Sequence, residues 1–338
     1  GAVGLSLAAC SKGKKAGSQG DSKTVTVVTH DSFHVSENLQ KAFTSETGYT
    51  LKVATSGDAG ALVNKLVLTK DAPLGDAVFG IDNTYATRAL DQGVIDTSAT
   101  VTLPKGAESY VVADTPALAP IDVGDVCLNI DTGYFTGKGL TPPATFEDLT
   151  KPEYKGLLVA INPTNSSPGM AWLLATIGHF GAGSFAGYWK QLMANGARIA
   201  EDWSAAYETD FSGSGKGTYP IVVSYASSPS FTVSKDKSSS TTSALLDTAF
   251  RQVEYAGVLK GAANPEGGKA FVTWMLSKAV QEDIPGQMYM YPVLPDAALP
   301  EALTKFGPLS KSPVKVEPKE ITTHREEWLN TWTEAVGK

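Results

Sequence analysis

Residues 24–82 read TVTVVTHDSFHVSENLQKAFTSETGYTLKVATSGDAGALVNKLVLTKDAPLGDAVFGID. Three short apolar runs in this stretch, TVTVVT (24–29), TLKVAT (50–55) and DAVFGI (76–81), read as strands. Between the first two, SENLQKAF (36–43) sets Leu39 and Phe43 one helical turn apart, and Gly48 ends the segment. Asp58 stands as N-cap to AGALVNKLVLTK (59–70), whose Leu62, Val63 and Leu66 share an apolar face. Tyr85 to Leu90 is a further helical segment, closed by Gly93. This β-α-β-α-β order predicts a parallel sheet flanked by helices.

The polar residues fall directly after the strands. His30-Asp31-Ser32, Ser56-Gly57-Asp58 and Asp82-Asn83 each follow a strand's carboxyl end. Open α/β sheets bind ligands there. A GxGxxG fingerprint does not follow the first strand, so a dinucleotide is not indicated.

A second α/β region begins near Pro120. It holds VCLNI, GLLVAI (156–161), helical AWLLATIGHF (171–180) and PIVVSY (220–225). VEYAGVLKG (253–261) reads as a strand returning to the first region. One helix is predicted over GGKAFVTWMLSKAVQEDI (267–284), with Phe271, Trp274 and Met275 on one side. The C-terminal TTHREEWLNTWTEAV is an amphipathic helix with Trp328 and Trp332 four apart. Trp172, Trp189, Trp274, Trp328 and Trp332 are read as core. No internal repeat is evident.

The chain has 338 residues, a length that leans towards two lobes. Hydrophobic residues at 42% suffice for sizeable cores, and a net charge of -7 argues against general nucleic-acid binding. The apolar stretch Gly1–Ala9 is too short to span a bilayer and reads as the tail of a secretory signal peptide. Leu7-Ala8-Ala9-Cys10 has the form of a lipobox, which predicts a lipid on Cys10. SKGKKAGSQGDSK (11–23) has no apolar residue larger than Ala and predicts a flexible tether. A lipidated Cys10 leaves Cys127 without an intramolecular disulfide partner. Cys127 lies in an apolar run and reads as a buried structural thiol.

SGSGKGT (212–218) is a phosphate-loop decoy: Lys216 is followed by Gly217 and then a strand, not by Ser or Thr and a helix. No HExxH, GxSxG or HxE…CxxC is present, and the four histidines are scattered, so neither a metal site nor a catalytic residue is assigned.

The ordered motifs THDSF (29–33), LVNKL (62–66), GDAVFGIDN (75–83), SSPGM (166–170), EDWSAAY (201–207), VVSYASSP (222–229) and IPGQMYMYPV (284–293) resemble the periplasmic thiamine-binding proteins of ABC importers. These belong to the two-lobed class II solute-binding superfamily, and the resemblance covers nearly the whole chain after residue 23. It implies an α/β fold in which each lobe is a mainly parallel sheet flanked by helices, with solute held in a cleft between lobes. Lobe one would be 24–118 plus 251–298, and lobe two 119–250 plus 299–338.

The resemblance also implies a monomeric, non-enzymatic receptor with no cofactor. Its ligand would be thiamine, thiamine monophosphate or thiamine diphosphate, and its partners the permease and ATPase subunits. Carried over by motif, Trp203, Tyr225 and Tyr289 would form an aromatic cage, Tyr289 standing where Trp is common. His30 stands where Tyr is common, a change that would make binding pH-sensitive. Asp31, Asp82 and the adjoining Asn83 would face the ligand, and Ser166, Ser167 and Gly169 would form a polar turn. Asp82 is equally a helix cap, Asp31 a turn residue, and Ser166 and Ser167 N-caps. Asp125 is either a solvated turn acid or an extra ligand carboxylate. Tyr291 is read as packing. The alternatives are a receptor of the same fold for iron or a polyamine, and a thiamine-processing enzyme that would need Cys127 as its nucleophile.

Overall fold

In the computed structural model, which describes residues 23–338, the three N-terminal apolar runs are strands. The expectations for residues 1–22, including the lipid on Cys10 and all of the tether but Lys23, lie outside the described residues. The chain forms β1 (Thr24–Thr29), α1 (Glu37–Thr47), β2 (Thr50–Thr55), α2 (Ala59–Leu68), β3 (Ala77–Asp82) and α3 (Ala86–Asp91). The long strand β4 (Ala119–Asp131) leads on to α4 (Thr132–Lys138), β5 (Leu158–Ile161), α5 (Ser167–Phe180), α6 (Phe185–Ala194) and β6 (Arg198–Ala200). After β7 (Ile221–Tyr225), a second long strand, β8 (Thr242–Val258), carries the chain back. Helices α7 (Pro265–Met275), α8 (Lys278–Met288), α9 (Glu301–Phe306) and α10 (Pro318–Val336) complete it.

Two units result. One comprises the described chain from Lys23 to Asp122, Glu254–Met288 and Pro292–Ala297. The other comprises Val123–Val253, Tyr289–Tyr291 and Ala298–Lys338. Both β4 and β8 therefore begin in one unit and end in the other.

In the first unit β1 pairs in parallel with β2 on one side and β3 on the other. The final part of β8 runs antiparallel to β3, with Asp82 opposite Glu254. Val25, Val27 and Val28 of β1 are fully buried, as are Leu62 and Val63 of α2. Trp274 of α7 packs against Phe43 of α1 at 5.1 Å between ring centroids. Asp58 caps α2 as expected, its carboxylate accepting from the Ala61 amide at 3.0 Å.

In the second unit β7 runs antiparallel to β4 and parallel to β5, and β6 extends the sheet beyond β5 in parallel. Its aromatic core is the chain of edge-on contacts Trp172–Trp189 (5.4 Å) and Trp189–Trp332 (5.7 Å), which joins α5, α6 and α10. Trp328 is buried beside them, and the five tryptophans read as core are all buried.

Two expectations need correction. The helix predicted over 267–284 is two helices. The Ser277 hydroxyl donates to the Trp274 carbonyl at 2.6 Å and accepts from the Val280 amide, so it stops α7 and starts α8. The strand predicted at 253–261 is only the end of β8, whose first half contains polar and half-buried residues and carries no clean alternation. The SGSGKGT decoy is a 3-10 turn followed by a left-handed Gly215, not the entry to a helix. Among the described residues no helix is long and apolar enough to cross a membrane.

Candidate functional site

The carboxyl ends of β5, β6 and β7 bring the second unit's candidate residues onto one edge. These strands are mutually parallel, so Ser166–Gly169, Trp203 and Tyr225 all follow strand ends on the same side. Trp203 opens a π-turn over Ser204–Asp210, an irregularity frequent at functional sites. Its indole nitrogen donates to the Ser224 hydroxyl at 3.0 Å, which fixes the ring beside the end of β7. Tyr207 stacks on the indole at 5.0 Å and 11°. Ser224 in turn bonds the Ser228 hydroxyl at 2.7 Å, and Ser228 accepts from the Tyr225 amide at 3.2 Å. The Tyr225 hydroxyl donates to Gln252 at 3.3 Å. A seryl network thus ties Trp203 and Tyr225 into one rigid group.

Tyr289 belongs to the same unit. It is 55% exposed, and its backbone is left-handed at φ 61°. Ser227 holds that conformation by donating to the Tyr289 carbonyl at 2.9 Å. Tyr291 is anchored by its hydroxyl to the Gly307 and Leu303 carbonyls at 2.8 and 3.2 Å, the packing role expected for it.

Ser166 caps α5, its hydroxyl accepting from the Gly169 amide at 3.1 Å. A Cβ at Gly169 would come within 2.9 Å of the Ile161 carbonyl, so only glycine allows this helix start so close to β5. Ser167 is half-buried and opens the helix.

Asp125 is not a solvated turn acid, and its carboxylate is already committed. It is fully buried and grips Arg251 in a two-point ion pair at 2.8 and 2.9 Å. It also accepts from the Ser310 amide at 2.7 Å. Three charge-assisted bonds into one carboxylate describe a fastener within the second unit.

The first unit repeats the strand-end pattern. Asp31 is exposed and joins the loops after β1 and β2, accepting from the Gly57 amide at 2.9 Å. Asp82 is buried and accepts from the amide and hydroxyl of Thr84 at 2.9 and 2.6 Å, the turn that leads into α3. Asn83 beside it is half-buried. His30 is 7% exposed. Its Nδ1 accepts from the Ser32 amide at 3.1 Å, which leaves the proton on Nε2, 2.7 Å from Glu254. A Cβ at Gly80 would fall 2.4 Å from the imidazole, so this glycine makes the room that the ring fills.

Burial opposes the charged imidazole, but the charge and hydrogen bond of Glu254 outweigh it and raise the His30 pKa. Beyond Glu254 lies Asp122, wholly buried, with no well-aligned hydrogen bond to either oxygen among the described residues. Burial first and the neighbouring Glu254 charge second push its pKa well up, which favours the protonated acid.

Sequence reasoning missed Glu254, Asp122, Tyr207 and Arg251. The signal for the two acids was present: each is an acid inside a largely apolar run, APIDVGDVCLNI and VEYAGV, where an ionisable side chain needs a special reason to be. Tyr207 stood within a quoted motif but without a period to single it out.

Comparison with known proteins now decides the family. The model of the bacterial extracellular solute-binding protein family matches residues 76–307. The chain belongs to that family. A thiamine-binding periplasmic protein of Salmonella typhimurium is 27% identical over 326 residues, covering 93% of this chain and 94% of its own length. A thiamine-binding periplasmic protein of Escherichia coli matches with the same identity and coverage. Among solved structures, a periplasmic thiamin binding protein superposes with a TM-score of 0.78 at 25% identity, covering 93% of this chain and 96% of that one. The iron-bound HitA of Pseudomonas aeruginosa shares the fold, with a TM-score of 0.72 at 20% identity and coverage of 92% and 99%. Solute binding is the role of this family, and the two-unit α/β architecture is its fold. Among the described residues no group of three or more His, Cys, Asp or Glu is arranged to hold a metal ion.

Proposed function

We propose that the protein captures thiamine or one of its phosphate esters outside the cell membrane and delivers it to the permease and ATPase of an ABC importer. The observation that carries this reading is the fixed aromatic group at the strand ends of the second unit. Trp203, held by Ser224 and backed by Tyr207, stands in one network with Tyr225. Thiamine carries a permanent thiazolium charge and a flat pyrimidine. Aromatic faces attract such a cation by about 0.5–2 kcal/mol each. A ring that need not be ordered on binding gives up less entropy when the ligand arrives.

Tyr289 belongs to the same aromatic set. Asp31, Asp82 and Asn83 supply polar and anionic atoms at the strand ends of the first unit. The start of α5, with Ser166, Ser167 and Gly169, favours an anion and so suits the phosphate of an ester rather than the thiazolium. His30 opens the loop after β1 in the first unit, with its proton shared towards Glu254.

The protein acts as a monomeric binder, not as an enzyme. Cys127, the nucleophile a thiamine-processing reaction would need, is buried and its thiol pKa is raised by burial first and by Asp125 second. The lipobox form of Leu7-Ala8-Ala9-Cys10 supports a lipid on Cys10. Expressed behind a secretion leader, the protein should partition into detergent, and Cys10→Ser should return it to the aqueous phase.

Titration with thiamine and its mono- and diphosphate, followed by tryptophan fluorescence and calorimetry, tests the ligand. Submicromolar binding that Trp203→Leu weakens is the expected result. No binding of any of the three, with ferric iron or a polyamine binding instead, overturns it.

A further inference from the structure

Phe231 and Tyr289 are both exposed in the second unit, and Phe231 has no part in the site assigned so far. Phe231 is 51% exposed at the end of the short 3-10 segment Ser228–Phe231, and its ring meets Tyr289 edge-on at 4.5 Å and 83°. Two half-exposed rings in a T arrangement leave one ring's face open beside the other's edge. Folding alone does not ask for this. An exposed Phe gives up the burial that rewards apolar side chains. Tyr289 is in a left-handed backbone conformation that is strained for a non-glycine residue. Strain of this kind concentrates at functional positions.

The same short segment connects this corner with the aromatic group already described. Ser227 fixes the Tyr289 carbonyl. Ser228, the next residue, bonds Tyr225 and Ser224, and Ser224 holds Trp203. Phe231 is three residues further along that segment. One stretch of chain therefore sets the position of four aromatic rings. The electron-rich faces of such rings suit a flat organic cation and disfavour an anion.

We propose that Phe231 is a further ligand-binding residue: paired with Tyr289, it forms an aromatic wall that receives the cationic ring of the solute and selects it over a neutral ring of the same shape. The proposal rests on the thiamine reading and names a residue and a selectivity that reading does not contain.

The test compares wild type, Phe231→Leu and Phe231→Tyr by calorimetry against two ligands. One is thiamine; the other is its neutral isostere, in which a thiophene replaces the thiazolium. The position is half-exposed, so both variants are expected to fold, and thermal melts check that they do. Phe231→Leu should weaken thiamine by roughly fivefold or more, the loss of one cation–ring contact, while changing the isostere by less than about twofold. Phe231→Tyr should restore thiamine binding. Unchanged thiamine affinity in Phe231→Leu, or equal losses for the charged and neutral ligands, overturns the proposal and leaves the thiamine reading standing. Failure of the wild type to bind thiamine overturns the reading, and the proposal with it.

Discussion

His30, Glu254 and Asp122 form a buried line of three titratable groups, and their pKa shifts act on stability with different signs. Glu254 is lowered in the folded protein: burial works against it, but His30 outweighs that. Its contribution is present above the ordinary value of 4.5 and is lost as pH falls through the lowered one. His30 is raised, so its contribution is present below 6.5 and is lost as pH rises through the raised value. Asp122 is raised too, which means that the folded state keeps a proton the unfolded chain releases above 3.8. Asp122 therefore costs stability increasingly as pH rises. Asp122→Asn removes that slope, and its urea midpoint should gain on the wild type as pH rises above about 4. Parallel midpoint curves for the two proteins would contradict a raised Asp122 pKa. The Asp125–Arg251 pair is a separate matter of fastening. Arg251→Ala strands a buried carboxylate with only the Ser310 amide, at a cost of about 3 kcal/mol or more in denaturant unfolding. A loss below about 1 kcal/mol would mean that water reaches Asp125. The residue scale is where the sequence was hardest to read. An acid in an apolar run can be a ligand contact, a proton store or half of an ion pair, and only the partner on a distant strand decides.

At the level of elements the sequence was read more easily, because local chemistry set most boundaries. The Asp58 cap, the apolar faces of α1 and α2 and the parallel strands around them depend on residues within a few positions of one another. The failures have equally local causes. Ser277 breaks a continuous helical period because its hydroxyl bonds the backbone on both sides, and periodicity counts only apolar positions. The π-turn after Trp203 has no apolar repeat at all. The start of α5 separates two roles that the sequence left open. Ser166 accepts from the Gly169 amide, so Ser166→Ala should cost about 1 kcal/mol of stability. Ser167 makes no cap bond among the described contacts, and Ser167→Ala should leave the denaturation midpoint within about 0.5 kcal/mol of wild type. Affinity for thiamine monophosphate should respond to both. A stability loss in Ser167→Ala equal to that in Ser166→Ala would show that the second serine caps as well.

On the scale of the molecule, what the sequence could not show is how often the chain changes unit. Alternating strands and helices imply two α/β bodies, but nothing local in β4 or β8 marks where one body ends. The first unit leaves the chain at Asp122 and resumes at Glu254. Its N-terminal segment therefore lacks the β8 strand that pairs with β3, and also α7, whose Phe271 and Trp274 are buried beside Phe43. Deleting one buried large aromatic typically costs about 3–5 kcal/mol. Two such losses and a missing strand rival the roughly 5–15 kcal/mol that holds an ordinary domain folded. A fragment of residues 23–122 should therefore lack dispersed amide resonances and a cooperative melt. Glu254 lies near enough for its charge to act on Asp122, so a short Gly-Ser linker can join them. Residues 23–122 linked in this way to 254–297 hold every long segment of the unit, and should recover both the dispersion and the melt. Cooperative unfolding of 23–122 alone would show that the returning segment decorates the first unit rather than completing it.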